Sequence, residues 1–220
     1  MDMTVEEARS LVADQTLWPR IRDFLWNFAQ QIHASWLEDV PGASQLTKLM
    51  DNPRVRGMVL EKLGVIPCFH LFPKEDWSRL LLLDGEILLE IAKWLGALAC
   101  ADSLRRVTDG AKVRELKATL SGVYPDVFAY TAYFKNLESA HGDSEPQNDV
   151  VSHGVSILVS MLAPLPESLV MRLKFKLPKN VSCCAVPREE SKGSSVSLLH
   201  SSFLSKLLKL KFPEAYRLCC

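Results

Sequence analysis

LLLLDGEILLEIAKWLGALACADSLRRVTDGAKVRELKATLSGVYPDVFAY, residues 80–130, decides the fold class. Ile87, Leu88, Ile91, Leu95 and Leu98, with the small Ala92 and Ala99, recur at helical spacing. They predict a helix capped by Asp84 and reaching Ala101. Gly96 sits inside it at a cost of about 1 kcal/mol relative to alanine. Beside Ala97 and Ala99, it predicts the close approach of a second helix. Asp102 or Ser103 then caps a short turn, and Asp109 caps a helix through VRELKATL that ends at Gly122. Pro125 opens a further helix carrying Val127, Phe128, Tyr130 and Phe134. The whole stretch holds packing faces, caps and charge, without an evident reactive constellation. Such a pattern points to a protein that holds other proteins.

Upstream the reading is also helical. Thr4 and Glu7 make a capping box before Ala8, Leu11 and Val12. After Pro19, the run IRDFLWNFAQQIHASWLEDV places Ile21, Leu25, Phe28, Ile32 and Trp36 on one helical stripe, widened by Phe24 and Trp26. Pro41-Gly42 closes it. Asn52-Pro53 starts the next helix, which runs to Leu63 and stops at Gly64. Residues 65–75 read as a loop or short extended segment, and Asp76 caps a short helix through Leu83.

Downstream, SAHGDSEPQND at 139–149 is rich in turn formers and reads as a linker or loop. A helix follows from Asp149 or Val150 to Ala163. In SLVMRLKFKLP the apolar residues Leu169, Met171, Leu173, Phe175 and Leu177 alternate with polar ones. This predicts a strand with Arg172, Lys174 and Lys176 on one wet, basic face. Residues 178–195 look loose. VSLLHSSFLSKLLKLKF then repeats Leu199, Phe203, Leu207 and Leu210 at helical spacing before Pro213 stops it. The expected fold is mostly α, a multi-helix globular domain with a minor β-strand or hairpin element near residues 168–177. Residues 1–138 form a helical core, and 150–220 a C-terminal helix–strand–helix part packed on it, as one structural domain.

The bulk numbers narrow the function. The 220 residues carry 26 basic and 26 acidic side chains, so nucleic acid is not an obvious partner. The charge is unevenly placed: residues 1–166 have a net of −6 and residues 167–220 a net of +6, which would steer an acidic partner towards the C-terminal part or draw the two parts together. The most apolar stretch, Ile87 to Ala101, contains Glu90 and Lys93 and falls short of the roughly 20 residues needed to span a bilayer. The acidic start MDMTVEEARS lacks the charge pattern of a secretory signal, so the expected location is the cytoplasm.

Cys68 and Cys100 stand singly in apolar surroundings, as reduced thiols do. The vicinal pairs Cys183-Cys184 and Cys219-Cys220 have a poor spacing for zinc. Five scattered histidines form no ligand pair, and the glycines punctuate helices rather than cradle phosphate. Glu86 and Glu90 lie one turn apart, but Glu90 with Lys93 is an ordinary surface pair. No catalytic, cofactor-binding or metal-binding residue is assigned. The candidates for partner binding are Arg105 and Arg106, followed at helical spacing by Lys112, Arg114 and Lys117, and the basic alternation Arg172, Lys174 and Lys176. As an edge strand, that alternation would pair with a partner strand, hold an acidic surface or guard against aggregation.

The order DGEILLEIAKWLGALACADSLRRVTDGAKVRELKATL resembles the SctK family of type III secretion accessory proteins, the YscK, OrgA or MxiK type. MRLKFKLP late in the chain and the closing KLLKLKFPEAYRL extend the likeness across about residues 50–215. The resemblance implies a largely helical cytoplasmic protein of the injectisome sorting platform, on the cytoplasmic face of the bacterial inner membrane, without catalysis or cofactor. It implies two partners, the SctQ-type pod protein and the cytoplasmic domain of the SctD-type ring protein, and membrane association through protein contacts only. The alternative is a type III secretion chaperone or regulator that binds exported proteins.

Overall fold

A computed structural model describes residues 5–65, 68, 77–131, 150–183 and 194–219. In chain order the α-helices are α1 Val5–Ala13, α2 Leu17–Trp26, α3 Ala34–Leu37, α4 Ala43–Lys48, α5 Pro53–Lys62, α6 Gly85–Ala99 and α7 Ala101–Arg105. There follow α8 Gly110–Thr119, α9 Val127–Tyr130, α10 Val150–Met161, α11 Glu167–Lys176, α12 Lys179–Cys183, α13 Ser194–Lys211 and α14 Pro213–Cys219. Two 3-10 turns, Phe28–Gln31 and Trp77–Leu82, complete the set, and the described residues contain no strand. The linker expected at 139–149, the Thr4 cap, Asp76 and most of the 65–75 segment lie outside the described residues.

The chain forms two compact units. The first takes Met1–Gly85, Leu162–Asn180 and Leu208–Cys220; the second takes Glu86–Met161 and Val181–Leu207.

In the first unit, the segment read as one long helix over 21–40 is broken twice. Asn27 leaves the helix (φ −111°, ψ 17°). Its amide donates to Asp23 Oδ1 at 2.8 Å and its carbonyl accepts from Arg56 Nη1 at 2.6 Å, satisfying the side chain where the helix ends. Ile32 and His33 are extended, and His33 Nδ1 accepts from the Ser35 amide to start α3. Ile21, Phe24 and Phe28 are fully buried, but Trp26, expected to widen their stripe, is 59% exposed. The start of α5 agrees with its sequence: Asn52 Oδ1 accepts from Arg54 N at 2.9 Å, with Pro53 in the first turn. The helix ends at left-handed Gly64 (φ 69°), whose amide donates to Glu61 O while Val65 N donates to Leu60 O. These two bonds satisfy the last carbonyls as a Schellman motif does.

The expected strand near 168–177 is instead α11. The alternation is real, but the segment's leucine, methionine, lysine and arginine favour helix. In a helix, Leu169, Arg172, Leu173 and Lys176 fall on one stripe, and all four are buried, with Phe175 beside them. The supposed wet face therefore supplies half of the buried stripe. The end of α11 is tied to the α3 region: His33 N donates to Phe175 O at 2.9 Å, and Trp36 Nε1 donates to Leu177 O at 2.9 Å. The Trp36 ring meets Phe175 edge-on at 4.7 Å.

In the second unit, α6 ends at Ala99, two residues short of the expected Ala101, because Cys100 (φ −99°, ψ 11°) turns the chain into α7. Asp102 and Ser103 lie within α7 rather than before it. Gly96 plays the role its position suggested. A Cβ there would collide with Val150 O, and one at Gly154 would collide with Ala92 O, so α6 and α10 cross backbone to backbone. Leu88, Ile91, Leu95, Val155 and Leu158 are fully buried along these helices, each side chain contributing about 1.5–3 kcal/mol. Trp94 meets Tyr130 at 5.6 Å, edge to face, and this ties α9 to α6. Helix α13, whose residues to Leu207 belong to this unit, buries Phe203, Leu204, Leu207 and Leu208, whereas Leu210 of the expected stripe is 53% exposed. Pro213 does stop α13 and also begins α14.

Candidate partner-binding surfaces

The basic residues singled out from sequence fall into three environments. Arg172 and Lys176, one turn apart on α11, are each only 3% exposed. Arg172 Nη1 donates to Phe24 O, and its guanidinium lies 5.1 Å and 4.6 Å from the Phe24 and Phe28 ring centres. Lys176 Nζ donates to Leu81 O at 2.6 Å and to Leu83 O at 2.8 Å, and lies 5.3 Å from the Phe24 ring. Its own carbonyl packs on Gly85, where a Cβ has no room. Lys176 thus grips residues 81–85 through both its amine and its backbone.

Burial pushes the Lys176 ammonium down to about 7, with Asp84 opposing and Arg172 and Arg20 reinforcing the shift. Burial likewise lowers the Arg172 value. Neither group is poised to greet a partner: a charge removed from water to this extent acts within the fold. This corrects the single wet face expected for Arg172, Lys174 and Lys176. Lys174, on the other side of α11, is half-buried and is the member of the three that reaches solvent.

Arg105 is exposed but occupied. It donates to Asp102 Oδ1 at 3.0 Å and to Thr131 Oγ1, and it lies 5.6 Å from the Phe128 ring centre, tying α7 to α9. Arg106, its neighbour, is exposed.

Lys112, Arg114 and Lys117 stand exposed on α8, a helix that buries none of its residues. Asp109 Oδ1 accepts from Ala111 N at 2.9 Å, as the cap expected from sequence. Beyond α8 the chain returns to the core at fully buried Leu120 and Val123, around left-handed Gly122 (φ 83°).

The acidic pair Glu86 and Glu90 is not brought together for chemistry. Glu90 Oε2 lies 3.1 Å from Lys93 Nζ, as the surface reading had it, and Glu86 is exposed. Cys68, Cys100 and Cys219 are free thiols. Burial raises the Cys100 thiol to about 11, which disfavours the reactive thiolate.

Two features escaped the sequence reading. Gly154, the partner of Gly96, lies in SHGVS, where small residues at helical spacing from a buried Val150–Val155 face were the available signal. The inward side of Arg172 and Lys176 was visible in the Leu169, Arg172, Leu173, Lys176 spacing, had the cations' aliphatic stems been counted as apolar.

The family model of YOP proteins translocation protein K, YscK, matches residues 22–219. The chain belongs to the YscK family. The match begins in α2, well before residue 50, and so takes in more of the N-terminal part than the motifs quoted above. YscK membership makes this a type III secretion-related protein and a component type of the secretion apparatus rather than of a known enzyme family. No curated protein and no solved structure matches the chain. Among the described residues, no helix is long and apolar enough to cross a membrane.

Proposed function

We propose that the protein is a non-enzymatic adaptor of the type III secretion injectisome. It links the cytoplasmic domain of the SctD-type inner-membrane ring protein to the SctQ-type pod protein, at the cytoplasmic face of the inner membrane. The match to the YscK model over residues 22–219 carries this reading. Its helical build supports it, because helices packed as closely as α6 and α10 are in the second unit give a firm surface for a protein partner. Its balanced overall charge agrees with protein partners rather than nucleic acid.

Deletion of the gene in the native bacterium tests the reading. The ring should still assemble, while a fluorescently tagged pod protein disperses from its membrane foci and secretion stops. Foci persisting in undiminished number without the chain would contradict it.

A further inference from the structure

We infer that α8 is a docking helix for a partner protein whose surface has an apolar centre and an acidic rim. The inference rests on the adaptor reading and assigns one of its contact surfaces. Helix α8 spans Gly110–Thr119 and buries no residue. A helix this short is marginal in water on its own, and most helices in proteins persist by burying a face. Here the Asp109 cap at one end and the buried Leu120 and Val123 beyond the other hold it.

At about 100° per residue, Lys112, Leu116, Val113, Lys117 and Arg114 follow one another around a single arc of roughly 200°. Leu120, buried in the core, lies on the same apolar line. The line therefore leaves the core at Leu120 and continues outward through half-buried Leu116 and Val113. Lys112 flanks it on one side, with Lys117 and Arg114 on the other, and Glu115 projects from the opposite arc.

None of the three cations pairs with a carboxylate among the described residues, whereas Arg105, just upstream, is tied to Asp102. Among the described residues, Arg114 Nε bonds its own helix, at Gly110 O. Exposed Arg106 adds to the same sign of charge. Charge complementarity selects the partner: a half-buried Val–Leu strip rimmed by exposed cations that meet no carboxylate among the described residues fits a hydrophobic ridge edged with Asp and Glu.

The test compares the full-length wild-type chain with a Lys112→Glu/Arg114→Glu/Lys117→Glu variant. Each is titrated by calorimetry against the purified pod protein and, separately, the cytoplasmic domain of the ring protein. The variant should lose at least tenfold affinity for one of the two, and wild-type binding to that partner should weaken steeply between 50 and 300 mM salt (about a twofold change in screening length). Its melting temperature should match wild type, because the three substituted side chains are exposed. The charge-neutral Lys112→Gln/Arg114→Gln/Lys117→Gln variant should show the same direction of loss, which separates lost binding from lost folding. Wild-type affinity for both partners in both variants would overturn the inference and leave the adaptor reading standing. Binding of neither partner by the wild-type chain would overturn both. Binding of wild type, but not of the variants, to vesicles containing phosphatidylglycerol, with both protein affinities unchanged, would assign the surface to lipid and also overturn it.

Discussion

Gly96 and Gly154 face each other across the α6–α10 crossing so closely that neither position has room for a side chain. A Cβ on Gly96 would lie 3.0 Å from Gly154 N, and one on Gly154 would lie 2.8 Å from Gly96 N. The obstacles are backbone atoms, which cannot swing aside as a side chain can. Substitution of either glycine by alanine gains about 1 kcal/mol of helix propensity, but it forces the helices apart. The expected outcome is a net loss of about 1–3 kcal/mol, read from the urea midpoint. An unchanged or raised midpoint in Gly154→Ala would mean that the two helices do not cross here.

The α11 cations lead to a second prediction, in which neighbouring lysines behave oppositely. Arg172→Glu would place a carboxylate against Phe24 O and the two phenylalanine rings, and Lys176→Glu would place one against two carbonyls. Each should cost about 3–5 kcal/mol or more, as an uncompensated buried charge does, and leave little folded protein. Lys174→Glu, on the solvent side, should stay within about 0.5 kcal/mol of wild type. Circular dichroism melts of the three variants check this, and equal tolerance of all three would restore a surface location for the triad.

Lys176 also makes stability depend on pH. Its folded value, about 7, is below the ordinary 10.5, so between these values the unfolded chain binds more protons than the folded one. Stability then rises as pH rises from about 7 to 10.5, and it falls as pH is lowered back through that window. One group gives a slope of at most about 1.4 kcal/mol per pH unit. Lys176→Met removes the titrating group and should flatten this window in urea unfolding series at pH 7, 8, 9 and 10. Parallel curves for the two proteins would contradict the assignment.

Asp109 caps a helix that has no fully buried residue of its own. Asp109→Ala should cost about 0.5–2 kcal/mol, and the loss should be local. Amide exchange across residues 110–119 should accelerate while α6 and α10 remain protected. Unaltered exchange in α8 would show that the cap is not what sustains it.

The fold was most legible where local signals and packing agree. Asn52 and Gly64 bound α5 through hydrogen bonds made by those very residues, with Pro53 preset for the first turn, and Asp109 caps α8 in the same way. The small side at Gly96 told of a close neighbour because a mid-helix glycine has little other use. Reading failed where one pattern serves two periods. Leu169, Met171, Leu173, Phe175 and Leu177 alternate as a strand would, but tertiary packing on Phe24 and Phe28 selects the helix and draws Arg172 and Lys176 inward with their stems. The 21–40 run failed differently: its apolar spacing is continuous, and the break depends on Arg56, far along the chain, completing the hydrogen bonds of Asn27. For the candidate surface, charge alone picked out Arg105 with Arg106; that Arg105 is tied to Asp102, Thr131 and Phe128 required the fold.

The most direct measurement for the adaptor account is reconstitution from three purified components: this chain, the pod protein and the cytoplasmic domain of the ring protein, followed by size-exclusion chromatography with light scattering. The expected result is a single ternary species whose mass includes all three, with no complex of the pod and ring proteins when the chain is omitted. A pod–ring complex forming without the chain, or a chain that binds one partner only by excluding the other, would contradict it.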